Sequence, residues 1–153
     1  MLEIERKFLV KNGFDLKNKS FKQIKQGYLS TNKEATVRIR ISDNQAWLTV
    51  KSKSSNNGLT RHEWEYVIPI DQATDMLKLC KNCIEKKRYN LIHDHLTFEV
   101  DVFEKQNAGL IIAELELNHP DQPFKKPNWL CEEVTGDQKY YHSSLIEKPF
   151  NCW

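Results

Sequence analysis

The sequence has no apolar run near the ~18 residues that a membrane-spanning helix needs. Its 153 residues are 39% hydrophobic and 29% charged. That balance is the ordinary one for a soluble protein, argues against disorder, and fits a single domain over residues 1–153. A secretory start is also missing. The opening MLEIERKFLV puts acids where a signal peptide carries a basic start and an apolar stretch, so a cytoplasmic protein is expected. Charge of one sign is absent: 23 basic and 21 acidic residues leave +2. A non-specific nucleic-acid binder would show a strongly basic face, so neither a nucleic-acid nor a membrane partner is expected. Cysteine is scarce. Cys80 and Cys83 form one C-x-x-C, but no second pair follows to complete a structural zinc site. The pair also ends a helical pattern instead of opening one, as a redox motif would. Reduced thiols are the simplest reading.

What is present is period-two patterning. Residues 2–10, 23–30, 36–42, 46–53, 60–68, 83–92, 96–104 and 110–117 read as strands, with turn signals at Asp43-Asn44 and Asn57-Gly58. Residues 71–80 space Ala73, Met76, Leu77 and Cys80 at helical intervals, with Asp71 placed to cap them. A short strand at Glu133 to Thr135 and a helical turn over 138–147 follow. Consecutive strands joined by short turns predict an antiparallel meander, and eight strands suffice to close a barrel. The expected fold class is all-β to α+β: an eight-stranded closed antiparallel β-barrel with a few covering helices.

The polar faces of these strands carry charge of one sign. The acidic pairs are Glu3 with Glu5, Glu63 with Glu65, Glu99 with Asp101, and Glu114 with Glu116. The basic pairs are Arg38 with Arg40, Lys51 with Lys53, and Lys86 with Arg88. Each is spaced i, i+2 and shares one face of its strand. A single pair reads most simply as a solvated outer face. Seven are harder to place there, because like charges on a strand repel and their order along the chain does not alternate in sign. The apolar partners, among them Ile4, Phe8, Ile39, Val50, Trp64, Val100 and Leu115, need cover. Closing the sheet turns them outward, under helices and long segments, and turns the charges into a lumen. Such a lumen needs pairing, water or ions. It would be a wet tunnel with carboxylates on one wall and Lys and Arg on the other. Clustered carboxylates suit Mg²⁺ or Mn²⁺, and clustered Arg and Lys suit phosphate oxygens. Both in one cavity suit a linear triphosphate.

Glu3-Ile4-Glu5-Arg6-Lys7 resembles the E-x-E-x-K signature of the CYTH family, or triphosphate tunnel metalloenzymes, in the superfamily of class IV adenylate cyclase and thiamine triphosphatase. The likeness continues through Gln26-Gly27-Tyr28-Leu29, Val37-Arg38-Ile39-Arg40, Leu48-Thr49-Val50-Lys51 and Arg61-His62-Glu63-Trp64-Glu65. It extends through Lys86-Lys87-Arg88-Tyr89, Val100-Asp101-Val102-Phe103, Ala113-Glu114-Leu115-Glu116 and Glu133-Val134-Thr135-Gly136-Asp137. The minimal size is similar to that of small bacterial members. The resemblance implies an eight-stranded tunnel and hydrolysis or rearrangement of triphosphates with Mg²⁺ or Mn²⁺. By position, Lys7, Arg38, Arg40, Lys51, Lys86, Arg88 and Lys139 would bind the phosphates. Glu3, Glu5, Asp101, Glu114 and Glu116 would hold metal, with Glu63 and Glu65 as further candidates. Lys86, crowded by other cations, would assist proton transfer. Lys53 and Glu99 share the charged face as rim charges or ligands. Two positions depart from the pattern: Lys139 stands where Arg is usual, and His142 where Asn is usual. His142 reads as a surface histidine and His62 as a structural one.

The expected activity is that of a Mg- or Mn-dependent triphosphatase, a hydrolase of phosphoanhydride bonds acting on inorganic tripolyphosphate. The alternatives are a class IV adenylate cyclase on ATP, a thiamine triphosphatase, or a non-catalytic binding module for polyphosphate or organic phosphates. Outward Trp47, Trp64, Trp129 and Trp153 would serve either a homodimer contact or a helix cover.

Overall fold

A computed structural model describes residues 1–153. Nine strands follow in chain order: β1 Leu2–Val10, β2 Lys22–Ser30, β3 Ala35–Ser42, β4 Gln45–Ser52, β5 Thr60–Ile68, β6 Cys83–His93, β7 Leu96–Phe103, β8 Ile111–Glu116 and β9 Leu130–Glu133. Two α-helices accompany them, α1 Ile70–Lys78 and α2 His142–Glu147. Neither is long and apolar enough to cross a membrane.

Every pairing is antiparallel, and the ring runs β1-β5-β4-β3-β2-β6-β7-β8 and back to β1. Closure rests on a short register, Leu2↔His62 to Ile4↔Thr60. Where β5 leaves β1, β9 takes over, at Phe8↔Glu133 and Val10↔Leu130. The result is the expected closed eight-stranded barrel with one extra strand. Its turns use the residues that tolerate left-handed backbone. Asp43 sits at φ 51° between β3 and β4, and Gly58 at φ 88° between β4 and β5. Gly58 is also held by close approach: a Cβ there would lie 2.3 Å from the Gly136 Cα.

Two apolar clusters pack on the outside. Phe8, Phe98, Val100 and Leu115 lie beneath Phe14, Leu16, Phe124 and Trp129, all from long connections. Ile39 and Ala46 lie beneath Ala73 and Leu77 of α1. The residue before α1 is Pro69, and no side chain caps the helix. The expected cap, Asp71, lies inside the first turn instead, where its charge favours the positive end of the helix dipole. Cys80 and Cys83 pack at the end of this helix, and burial pushes both thiols up.

The third cluster fills part of the lumen. Ile84, Phe103 and Ile112 continue the inward faces of β6, β7 and β8, and Leu145 and Ile146 of α2 pack on them. So α2 does not cover the barrel; it plugs one end beside these strands. A second cavity of about 400 Å³ lies next to the plug, between α2 and the turns around Lys33 and Ser54. One tryptophan departs from the expected arrangement. Trp47 faces inward, with the Arg40 guanidinium 4.8 Å from its ring centroid. Trp64 is outward as expected, 45% exposed, with His62 stacked on it and no helix over it.

Candidate active site

Around the ring the charged inner faces sort by sign. β7, β8, β1 and β5 are neighbours and carry the four acidic pairs. β4, β3, β2 and β6 complete the ring and carry Lys51, Arg38, Arg40, Lys86 and Arg88. An order that fails to alternate along the chain thus becomes an acidic wall facing a basic wall. Two cations stand on the acidic side, Lys7 on β1 and Arg61 on β5. The walls enclose a cavity of about 410 Å³ lined by six cationic and seven acidic side chains, with only two hydrophobic residues among its nineteen.

Where the walls meet, the charges are paired. Arg40 Nη2 donates to Glu65 Oε1 and Oε2 at 3.1 and 3.2 Å, and the Thr49 hydroxyl donates to Glu65 Oε2 at 2.8 Å. Lys51 Nζ donates to both oxygens of Glu3, at 2.9 and 3.1 Å, and Arg61 Nε donates to Glu3 at 2.6 Å. At the other seam Arg88 bridges Asp101 and Glu114, at 2.6 and 2.7 Å. Lys86 also bonds Asp101, and Lys7 bonds Glu114. The Nε groups of Arg38 and Arg40 remain buried without an acceptor. Orphaned guanidinium donors in a polar cavity fit a site made for an anion.

Burial and this crowding set the protonation states. Desolvation, then Arg88, pushes the Lys86 ammonium down to about 8, against the pull of Asp101. Burial also opposes the charge on Lys7, but Glu114 and Glu5 outweigh it and raise its pKa. Burial would raise Glu114, yet Lys7 and Arg88 hold it well below the usual carboxylate range. Glu116 differs. It faces Glu5 across the β1–β8 ladder, and burial followed by Glu3 and Glu5 raises its pKa. The charges acting on it are all acidic.

Eleven of the residues expected from the sequence line the cavity: Glu3, Glu5, Lys7, Arg38, Arg40, Lys51, Glu63, Glu65, Arg88, Glu114 and Glu116. Lys86 and Asp101 lie buried behind Arg88, 1% and 0% exposed. Lys139 is not brought to them. It falls in the turn Gln138–Tyr140, with its ammonium 3.9 Å from the Trp153 ring centroid. Of the two rim charges, Glu99 lines the cavity and bonds Arg88, whereas Lys53 lies outside and pairs with Glu34 at 3.0 Å. His62 is outward, stacked on Trp64.

His142 is not a surface residue. Its side chain is 8% exposed, with Nε2 3.6 Å from Glu114 Oε1 and 3.9 Å from Asp101 Oδ2. Burial, then Lys86, keeps its pKa well below the ordinary value, so the ring is neutral. Arg61, Thr36, Thr97, Tyr141 and Ser143 also line the cavity without having been singled out. The strand residues among them were findable: Arg61 shares parity with Glu63, and Thr97 with Glu99. Tyr141 and Ser143 arrive only through the docking of α2.

A CYTH domain family model matches residues 1–147. The chain is 41% identical over 150 residues to an inorganic triphosphatase of Acetivibrio thermocellus, covering 97% of this chain and 95% of that protein. The crystal structure of the inorganic triphosphatase NE1496 is similar at 32% identity and a TM-score of 0.67, over 94% of this chain and 93% of that one. A conserved hypothetical protein of Pyrococcus furiosus shares the fold at 22% identity and a TM-score of 0.59, over 78% and 80% of the two chains.

Proposed function

The chain belongs to the CYTH domain family, and from that premise we propose that it is a divalent-metal-dependent triphosphatase acting on inorganic tripolyphosphate. One observation carries the reading: an acidic wall and a basic wall face each other across one cavity. The lining is almost wholly charged and polar, which suits a substrate that is phosphate throughout. Both relatives named as inorganic triphosphatases, one of them at 41% identity, support the same substrate.

Glu3, Glu5 and Glu116 would hold the metal, because Glu116 has carboxylate neighbours and no cation of its own. Glu63 adds a further carboxylate on the same wall. Four glutamates without sulfur or nitrogen suit Mg²⁺ or Mn²⁺. A bound ion of this kind supplies neutralisation of phosphate oxygens and acidification of a water. Arg38, Arg40, Lys51 and Arg88 clamp the phosphates, and their charge stabilises the oxygens as the phosphoanhydride bond opens. Their present partners, Glu65, Glu3 and Asp101, hold them in place until an anion arrives. Lys86 takes part in proton transfer from its buried place behind Arg88. A pH–rate profile identical in Lys86→Met would remove that role.

The deciding assay is phosphate and pyrophosphate release from tripolyphosphate, ATP and thiamine triphosphate. It is run with Mg²⁺, with Mn²⁺ and with EDTA, for wild type and Glu5→Gln. Metal-dependent release from tripolyphosphate that falls by about 10²-fold or more in the variant is expected. Pyrophosphate with cyclic AMP from ATP would reassign the chain to a cyclase. No turnover of any substrate would overturn the hydrolase.

A further inference from the structure

His142 brings an imidazole into a cavity otherwise charged by Glu, Lys and Arg. Its Nε2 is buried and has no hydrogen-bond partner. At 3.6 and 3.9 Å it is too far from Glu114 and Asp101 to bond either. Those separations instead suit ligand atoms around a common ion: two atoms about 2.1 Å from one centre at tetrahedral angles lie roughly 3.4 Å apart. The ligand atoms of Asp101, Glu114 and His142 all fall within 4.8 Å of one another.

The other side of the ring is also prepared. Nδ1 lies 3.3 Å from the side-chain amide of Gln26, which is 0% exposed and whose Oε1 has no partner. Turned with its oxygen to the ring, that amide accepts Nδ1–H and leaves the Nε2 lone pair facing the two carboxylates. An outer acceptor that fixes the tautomer regularly accompanies a metal-bound imidazole. Phe103 packs edge-on against the ring, 5.4 Å between centroids.

We propose that Asp101, Glu114 and His142 form a nitrogen-containing metal site at the plugged end of the cavity, separate from the carboxylate site at Glu3, Glu5 and Glu116, and that it prefers Mn²⁺ or Co²⁺ to Mg²⁺. Imidazole is a ligand for transition ions, and although Mn²⁺ shares the carboxylate preference of Mg²⁺, it accepts a nitrogen where Mg²⁺ keeps to oxygen. In the free protein Lys86, Lys7 and Arg88 occupy the oxygens of Asp101 and Glu114. Lys7 and Arg88 line the cavity, so a triphosphate there offers them another anion, frees Glu114 and Asp101 Oδ1 for the ion, and leaves Lys86 behind on Asp101 Oδ2. The site deepens the proposed metal dependence and rests on that reading for its co-bound phosphates.

The test is pulsed electron paramagnetic resonance on Mn²⁺ bound to the full chain. A methylene-bridged tripolyphosphate analogue, which contains no nitrogen and is not hydrolysed, accompanies the ion. Wild type is expected to show the ¹⁴N modulation of a bound imidazole. His142→Asn, which installs the residue usual in the family pattern, is expected to lose it, with Mn²⁺ affinity falling about tenfold or more. A chain with His62, His93, His95 and His119 all replaced by Asn keeps His142 alone and must retain the modulation. Bound Mn²⁺ without ¹⁴N modulation in wild type, or modulation that survives His142→Asn, overturns the site. The spectra decide this whether or not tripolyphosphate is hydrolysed, so failure of the activity and failure of the site are read separately.

Discussion

Glu116 shows how a single side chain trades stability for chemistry. Its raised pKa means that folding favours the protonated form. For a carboxyl the sign follows directly. The handicap is absent below the ordinary carboxyl value, grows as pH rises from there to the raised one, and is complete above it. Glu116→Gln is therefore expected to melt at a higher temperature than wild type at pH 7 in EDTA, and to bind Mn²⁺ more weakly. Thermal melts and calorimetric titration check the two halves, and a lower melting temperature in EDTA would remove the repulsion argument. At this scale much of the site was legible. Side chains on strands declare their face by parity, and Arg61 could have been read from Glu63 and Glu65 by that rule. Parity does not say where a strand stops. Lys53 and Glu99 looked alike in the sequence, but β4 ends at Ser52 and releases Lys53 to Glu34, while Glu99 lies inside β7.

Among the elements, α2 was the hardest to foresee. HSSLIE is six residues long, and its role depends on what it meets. Yet a trace of it lies in the strands. Along one face of β6 the sequence runs Ile84, Lys86, Arg88, and along β8 it runs Ile112, Glu114, Glu116. An inward face that changes from apolar to charged marks the depth at which a plug must sit. Leu145 fills that place at 1% exposure against Ile84, Phe103, Leu110 and Ile112. Leu145→Ala is expected to cost about 2–4 kcal/mol, since the surrounding strands cannot collapse into the space. Urea unfolding measures that loss. Because α2 also carries His142, the same variant should lower turnover at saturating metal. Full turnover in a destabilised protein would mean that the plug acts only as packing.

At the scale of the whole molecule, the sorting of charge comes from topology. The sequence order of acidic and basic strands carries no alternation, and the antiparallel ring was legible only as a meander. A plain meander would keep β5 beside β6. Instead β2 pairs with β6 while β5 closes onto β1, which brings the four acidic strands together. Long-range pairings of this kind leave no local signal, so the two walls were readable as a requirement of the charges but not as a strand order. Their balance has a measurable consequence. Six cations face seven acids, so the empty cavity has little net field to attract a polyanion, and the metal must supply the excess positive charge. The methylene-bridged analogue and Mn²⁺ together are expected to stabilise the protein by about 2.7 kcal/mol at a hundredfold excess over Kd. For a domain of this size that is a rise of roughly 5–10 °C in Tm. The analogue alone in EDTA should give a small fraction of that shift, because the guanidinium and ammonium groups it needs are then held by Glu3, Glu65, Asp101 and Glu114. Thermal melts with neither ligand, with Mn²⁺ alone, with the analogue in EDTA and with both separate the outcomes. A full shift with the analogue in EDTA would mean that the basic wall binds triphosphate unaided, and would favour a phosphate-binding module over a metal-dependent hydrolase.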